Sequence, residues 1–295
     1  VSQLPAVIQN GMQLPALPAD LAALLPTVGS NEALAKGLGS GFVAPPRISL
    51  AGSRFHAIVD GVKTLLTIED KITGQRVPVP YLEGVILNSN SGKYKAFYGQ
   101  FDPATNTWQR SQYNPQDEPE APTCYSYDGE RPSEFSREKQ CATCAACPHN
   151  AWGSAVTQQG NETRACSDGK LIAFVPKSAV MNQADPATPA ARAYQLRIPP
   201  TGLSRNKEDR KNKPNENTSL SEFVTLLSKY PTTDGRAVEL SARAVFTRIF
   251  FDTSVDYPSP RFAIAGFLTK PQIEYVAARS QDEDVLQCVE DRGGT

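Results

Sequence analysis

The chain has 295 residues, and its 30 lysines and arginines against 31 aspartates and glutamates give a net charge of −1. This balance excludes a polycation of the histone type, so any nucleic-acid surface must be a local patch. No apolar run approaches the ~20 residues of a membrane-spanning helix, which predicts a soluble protein without membrane contact. With two histidines and no P-loop, dinucleotide fingerprint, His-Glu-x-x-His or Gly-x-Ser-x-Gly motif, we expect no enzymatic activity.

Residues 1–45 are low in charge and rich in alanine, leucine, proline and glycine. One short amphipathic helix is predicted between Pro18 and Pro26, but the repeated prolines and glycines argue against an independent core. We interpret the segment as an extended N-terminal arm that docks on a neighbouring subunit and supports self-association. A disordered leader is the alternative.

Short β-type runs separated by turn residues begin at Pro46. Asp60-Gly61, between two apolar runs, predicts a hairpin. Strands are predicted at 47–51, 54–59, 62–68, 80–88 and 93–101. Their regular spacing is typical of a meander that curls into a sandwich or a small barrel.

Basic and aromatic side chains alternate along the last of these strands. Tyr94 and Tyr98 share one face of it, and Lys93 and Lys95 share the other. This mixture suits single-stranded nucleic acid, because bases stack on rings while lysine and arginine contact phosphates. Burial of the rings in the core is the alternative. The candidate residues in this half of the chain are Arg47, Arg54, Lys93, Tyr94, Lys95, Tyr98 and Trp108.

From about 102 to 168 the β periodicity disappears, and five of the six cysteines lie here. Cys141, Cys144 and Cys147 form two overlapping C-x2-C pairs, a spacing that lets one turn aim two thiolates at a metal ion. Bound metal would compensate for the missing apolar core. Zinc is our main interpretation; an iron–sulfur cluster and plain thiols or disulfides are the alternatives.

Four thiolates would leave no open coordination position, so we predict one structural zinc. The predicted ligands are Cys124, Cys144, Cys147 and Cys166. Cys141 is then left over, although a register shift would let it replace Cys147. His149 is expected to support the site from outside, and Cys288 to be an ordinary thiol.

Beyond the cysteine segment the β-type runs resume, and two helices are predicted among them. Strands are predicted at 171–175, 193–198, 238–251 and 261–268. Helices are predicted at 222–230, with Ser219 and Glu222 as a capping pair, and at 270–278. The loop at 201–217 carries a local excess of positive charge and is interpreted as a phosphate contact, or else as a solvated loop. Its candidate residues are Arg205, Lys207, Arg210, Lys211 and Lys213.

The chain resembles a group of tailed-phage proteins over roughly 45–270, and the cysteine segment is the only specific part of this resemblance. The matching stretches are Pro46-Arg-Ile-Ser49, Cys124-Tyr-Ser-Tyr-Asp-Gly129, Cys144-Ala-Ala-Cys147-Pro-His-Asn-Ala-Trp-Gly-Ser154 and Ala165-Cys166-Ser-Asp168. The resemblance implies the same four zinc ligands and leaves Cys141 outside. The chain departs from the group after the last cysteine, where Gly169 precedes Lys170.

The layout is also similar to the helix-destabilising single-strand binders of large lytic phages, which insert a zinc subdomain into an OB barrel and end in an acidic tail that recruits replication proteins. We therefore predict a mainly β (α+β) fold: an OB-like β-barrel over 46–280, a zinc-stapled insertion at about 102–168, two peripheral helices and an acidic tail at 281–295.

The predicted function is sequence-nonspecific binding of single-stranded DNA during phage DNA replication or recombination, in the cytoplasm of the infected bacterium. The acidic tail would contact replication proteins. The alternatives are a virion structural or assembly protein, whose arm docks on neighbouring subunits, and an iron–sulfur nuclease.

Overall fold

The computed structural model describes residues 44–104, 107–111, 121–157, 160–205, 218–232 and 235–291, together with the backbone of 6–9 and 12–15. The chain divides into two units, Val1–Phe42 and Val43–Thr295, and the division lies close to the predicted end of the arm. In the first unit, β1 (Ala6–Gln9) and β2 (Met12–Pro15) form an antiparallel hairpin. The helix predicted between Pro18 and Pro26 lies outside the described residues.

The second unit is mainly β, as predicted. Its strands are β3 (Arg47–Ser49), β4 (His56–Val59), β5 (Val62–Leu65), β6 (Thr67–Glu69), β7 (Arg76–Pro78), β8 (Tyr81–Ser89), β9 (Tyr94–Phe97), β10 (Gly99–Asp102), β11 (Thr107–Arg110), β12 (Cys124–Ser126), β13 (Ala155–Val156), β14 (Glu162–Thr163), β15 (Ser167–Pro176), β16 (Tyr194–Ile198), β17 (Tyr230–Pro231), β18 (Ala237–Val238), β19 (Val245–Phe251) and β20 (Pro260–Phe267). Its helices are α1 (Lys177–Met181), α2 (Pro200–Leu203), α3 (Leu220–Ser228), α4 (Lys270–Arg279) and α5 (Glu283–Gln287).

Ten strands form one mixed sheet. Its main order is β20-β19-β8-β15-β16-β3-β4-β5, and β9, flanked by β12, pairs with the beginning of β15. The pair β16–β3 is parallel and the other pairs are antiparallel. Within the described ranges this order has β20 and β5 at its two ends and no closed barrel is found, so the predicted OB-like barrel is not confirmed.

Strand β15 is buried on both faces along its second half. Leu171, Ala173 and Val175 lie in one apolar cluster, together with buried residues of α1, α4 and α5. Ile172 and Phe174 lie in the other cluster, with buried residues of α3, β19 and β20. Because successive side chains of a strand point to opposite faces, this two-sided burial explains the uninterrupted apolar run in the sequence.

Two local predictions are confirmed. Asp60 and Gly61 join β4 to β5 with positive φ angles of 51° and 79°, the backbone that a two-residue hairpin favours. Helix α3 begins with the predicted capping box, in which a Glu222 carboxylate oxygen accepts from the Ser219 amide at 2.9 Å.

The strand predicted at 238–251 is too long. β19 begins only at Val245, because a 3-10 turn, Ala242–Ala244, precedes it and Ser241 accepts a hydrogen bond from the Arg243 amide at 3.2 Å.

The acidic C-terminal segment is folded as far as Asp291, which corrects the prediction of a free tail. Val285 and Cys288 are completely buried in the core. Asp282 and Asp284 form ion pairs at 2.6 and 2.7 Å with Arg279, whose side chain is 1% exposed. A buried arginine requires partners of opposite charge, and these two aspartates supply them. The composition of the sequence does not show this pairing.

Candidate metal centre and adjoining surface

Strand β9 brings two of the predicted ligands together. Its neighbour β12 places Cys124 opposite Phe97, and on its other side Ser167, the residue after Cys166, pairs with Ala96. Cys124, Cys166 and Phe97 therefore share one small buried cluster. Cross-strand pairing alone joins cysteines that are 42 positions apart in the chain.

The C-x2-C turn is hydrogen-bonded to the loop that follows β12 and to the residue that precedes β15. The Cys144 amide donates to the Glu130 carbonyl at 2.8 Å, and the Cys147 amide donates to the Cys144 carbonyl at 3.4 Å. A 3-10 turn, Pro148–Asn150, follows directly, and the Cys166 amide donates to the His149 carbonyl at 2.8 Å. We call the region made of β12 and residues 141–166 the cysteine knuckle.

The four predicted ligands line one cavity of about 20 Å3. Its other lining residues include Lys95, Phe97 and Asn150, whereas Cys141 does not line it. All six cysteines are free thiols. No group of three or more histidine, cysteine, aspartate or glutamate side chains in the described part of the chain has the arrangement of a formed metal site, so what the structure shows is the convergence of four thiols.

Burial dominates the chemistry of these thiols. It raises the pKa of Cys166 to about 12 and also raises the pKa of Cys144 and Cys147, and the neighbouring thiols act in the same direction. The charge of Lys95 opposes the effect at Cys144 and Cys166. Metals bind thiolates, so a cation in this cavity would have to displace the protons that burial favours.

The residues after Cys147 fix the turn through hydrogen bonds. Asn150 donates to the Cys144 carbonyl at 2.9 Å and accepts from the Lys95 ammonium at 2.8 Å. The Ser154 hydroxyl donates to the His149 carbonyl at 3.0 Å and accepts from the Ala165 amide at 2.9 Å. These bonds give the C-P-x-N-x-W-G-S pattern a structural reason.

The His149 ring lies beside the cavity wall, and its role in supporting a metal ligand stays a prediction. Its ring stacks on Phe97 with centroids 4.0 Å apart, and its Nε2 lies 3.1 Å from the Gln140 side-chain oxygen. Burial lowers the pKa of His149. The ring therefore packs against the cavity wall as a neutral imidazole at neutral pH.

The Asp128-Gly129 turn holds the end of β12 in place. Asp128 Oδ1 accepts from the Ser126 hydroxyl at 2.8 Å and from the Glu130 amide at 2.7 Å. Gly129 has a φ of 83°, and a Cβ there would lie 2.7 Å from the Lys93 carbonyl oxygen. Both the backbone angle and the close approach require glycine.

Three predicted nucleic-acid contacts lie inside the protein. Tyr94 is 7% exposed in the core beside Tyr125, and Lys95 is 8% exposed in the cavity wall. Arg205 is buried and forms a bidentate pair with Glu222, at 2.8 and 2.9 Å. The predicted half-exposed platform is corrected here, because β9 lies between two strands and is covered on both faces.

Other predicted contacts are accessible. Lys93 is 73% exposed and Arg54 is exposed, while Arg47, Tyr98 and Trp108 are half-buried. The Tyr98 hydroxyl accepts from Arg197 at 3.1 Å. The remaining members of the basic loop lie outside the described residues: Lys207, Arg210, Lys211 and Lys213.

Sequence reasoning missed two surface groups beside the knuckle. Trp152, in the turn before Gly153, is 69% exposed. Arg164 lies 3.8 Å from Asp168, as does Lys93. A tryptophan inside a polar turn was the signal that could have identified Trp152.

Exposed Phe101 packs on Trp108 with ring centroids 5.6 Å apart. Trp108 also packs against the buried cluster that contains Cys124 and Cys166. We use the name knuckle surface for the set of five candidate contacts Lys93, Phe101, Trp108, Trp152 and Arg164.

Comparisons with family models, with curated proteins and with solved structures give no match for this chain. The resemblance to tailed-phage proteins therefore stays a prediction. Within the described ranges, no helix combines the length and the apolar character needed to cross a membrane.

Proposed function

We propose that this protein binds single-stranded DNA without strong sequence preference, and that one structural zinc keeps the binding surface folded. The zinc part of the proposal rests on the convergence of Cys124, Cys144, Cys147 and Cys166 on one cavity from three separate stretches of chain. The DNA-binding part rests on the exposed aromatic and basic side chains of the knuckle surface. Four sulfur donors suit zinc and leave no position for a reacting water, so the metal would be structural.

The knuckle has a physical need for such a staple. Its buried side chains are few, and the hydrogen bonds of Asn150, Ser154 and Asp128 do much of the positioning. Where little apolar surface is buried, the free energy of metal binding becomes the free energy of folding. Zinc bound at this cavity would hold the C-x2-C turn against β9.

The knuckle surface has the chemistry for a single strand. Phe101, Trp108 and Trp152 offer rings on which bases of any sequence can stack. Lys93 and Arg164, both exposed, each lie 3.8 Å from the carboxylate of Asp168 and are positive groups that phosphates could contact. Positive side chains together with exposed rings suit the phosphates and bases of a single strand.

The proposal also includes the OB-like barrel, the role in phage DNA metabolism and the protein partners. β15 pairs with β8 and β16 at one end and with β9 at the other, and such sharing of a strand is compatible with an OB-like barrel. The resemblance to phage proteins supports a role in phage DNA replication or recombination in the host cytoplasm. Contacts with replication proteins through the C-terminal segment, and self-association through residues 1–45, are part of it.

The test combines metal analysis with DNA binding. We expect one zinc per chain and binding to fluorescently labelled oligo(dT) that weakens steeply as salt rises. Trp152→Ala should weaken binding by about 1–3 kcal/mol with little change in melting temperature. Trp108→Ala should weaken binding as well but also lower the melting temperature, because this ring packs against the buried cluster of Cys124 and Cys166. Tyr257→Ala, an exposed ring away from the knuckle sequence, is the matched control and should bind normally.

Absence of salt-dependent binding to oligo(dT) would overturn the DNA-binding proposal. A brown protein that absorbs near ~400 nm would instead indicate the iron–sulfur alternative.

The separate N-terminal unit favours a second candidate, a virion or assembly protein whose arm contacts another subunit. Deletion of residues 1–42 distinguishes the two. An assembly protein should lose its oligomeric state in light scattering and bind no oligo(dT) in either form. A single-strand binder should keep its affinity for a short oligonucleotide.

A further inference from the structure

A buried lysine lies in the wall of the cysteine cavity. Lys95 is 8% exposed, and its ammonium group donates to Asp168 Oδ1 at 2.6 Å and to Asn150 Oδ1 at 2.8 Å. A lysine is rarely buried unless its charge is matched. Asp168 is one such partner, but Lys93 and Arg164 also lie 3.8 Å from its other oxygen.

Positive charge therefore remains beside the cavity after Asp168 is counted. A zinc ion with four thiolates carries a net charge of −2, which is costly to bury without a compensating cation. The interaction between opposite charges a few ångströms apart is strong where water is excluded. Lys95 has the right sign and lies in the cavity wall.

We propose that Lys95 is the counter-charge of the metal centre and slows the release of the metal. It is a positioning residue and not a ligand: its ammonium group stabilises the thiolates by charge, and its bond to Asn150 orients the amide that holds the Cys144 carbonyl. The inference rests on the proposed zinc site and adds a residue outside the coordination sphere.

The experiment measures the rate at which a chromogenic chelator removes zinc from the full-length loaded protein. Lys95→Met keeps the length of the side chain and removes its charge, and we expect release to be about 10-fold faster or more, the usual effect of losing a group that supports metal ligands. Lys95→Arg keeps the charge and should restore most of the difference.

Lys170→Met is the matched control. Lys170 is half-buried on β15 and donates to the carbonyls of Asn90 and Gly92, away from the cavity. Its loss should lower stability without changing the release rate. In cobalt-substituted protein, the visible spectrum of Lys95→Met should keep the tetrathiolate bands, because no ligand is lost.

Asp168→Asn keeps the inference testable if Lys95→Met does not fold. Removing the competing carboxylate leaves the charge of Lys95 to the thiolates, so release should be unchanged or slower. A purely structural role for the ion pair predicts faster release.

Equal release rates for Lys95→Met and the unaltered protein overturn the inference, as does equally fast release from Lys95→Met, Lys95→Arg and Lys170→Met. Protein without any metal contradicts the proposed zinc site itself, which is a different result.

Discussion

The two ends of β15 are held by different interactions. From Leu171 to Val175 the strand is buried between two apolar clusters, with helices packed beyond them. From Ser167 to Gly169 it borders the knuckle, where thiols, an ion pair and hydrogen bonds to backbone carbonyls and amides determine the packing. Apolar burial is non-directional and needs no ligand, whereas the knuckle depends on a few polar groups in fixed positions.

With the proposed zinc bound, β15 would connect a metal-independent core to a metal-dependent region. Changes in the core should lower global stability whether or not metal is present. Changes in the knuckle should act on metal retention and on local structure.

Phe174→Ala should have the largest effect. The ring is fully buried between β15 and the elements packed on that face, and its loss leaves a cavity that costs about 3–5 kcal/mol. Urea unfolding should show the same loss with and without a chelator. Phe267→Ala, at an exposed ring of β20, should cost less than about 0.5 kcal/mol. A loss for Phe174→Ala that appeared only in zinc-loaded protein would contradict the division between the two regions.

Arg279→Met should be next. The guanidinium is buried, pairs with Asp282 and Asp284, and donates to the Ala191 carbonyl at 2.9 Å. Removing it leaves both carboxylates without this partner, and we expect a loss of about 3 kcal/mol in urea unfolding, again independent of metal. A variant as stable as the unaltered protein would show that the C-terminal segment behaves as the free acidic tail of the sequence prediction.

Chelation should affect the knuckle alone. Hydrogen exchange with and without a chelator should show loss of protection in β12 and the turn that follows Cys144, with little change in β8 and β19. Cys144→Ser should reproduce this pattern, and Cys141→Ser should not, because Cys141 does not line the cavity. Exchange that increases uniformly through the ten-stranded sheet would mean that the metal supports the whole fold.

Local signals in the sequence were sufficient for much of the fold. The Asp60-Gly61 hairpin and the Ser219–Glu222 capping box depend on neighbouring residues only, and both are confirmed. The spacing of the cysteines left two overlapping C-x2-C pairs open, and the turn residues around Cys124 and Cys166 together with the resemblance to phage proteins favoured the four thiols that line one cavity. The hairpin and the capping box were predictable because short-range geometry carries their information.

Long-range pairing could not be read in the same way. The alternation of side chains along β9 separates the two faces of the strand. It does not indicate that β12 and β15 pair with its two edges, and for this reason Lys95 was predicted at the surface. The acidic residues after Ser280 were predicted as a tail because the sequence does not show that Arg279 is buried. Only the structure shows that this arginine pairs with two of them. A charged side chain gives no sign in the sequence of which ion pair will cover it.

The smallest expected effect on stability is that of Glu222, in the cap of α3, and its dependence on pH should differ from that of the knuckle. Burial alone would raise the pKa of Glu222, but hydrogen bonds from Arg205 and Ser219 outweigh it and hold the pKa at about 2, below the ordinary 4.5. A lowered pKa in the folded state means that the carboxylate stabilises the protein above about pH 4.5, and that this contribution is lost as the pH falls through about 2.

The knuckle should respond to acid earlier, because protons compete with metal for thiolates. Glu222→Gln weakens both the helix cap and the pair with buried Arg205, so it should cost about 2 kcal/mol in urea unfolding near neutral pH and almost nothing near the pKa of about 2. Both proteins are compared after chelation, so that metal loss cancels. Glu274→Gln, on the exposed face of α4, is the control and should show no such dependence on pH. A difference between Glu222→Gln and the unaltered protein that stayed constant down to this pH would show that the cap of α3 does not depend on the charge of Glu222.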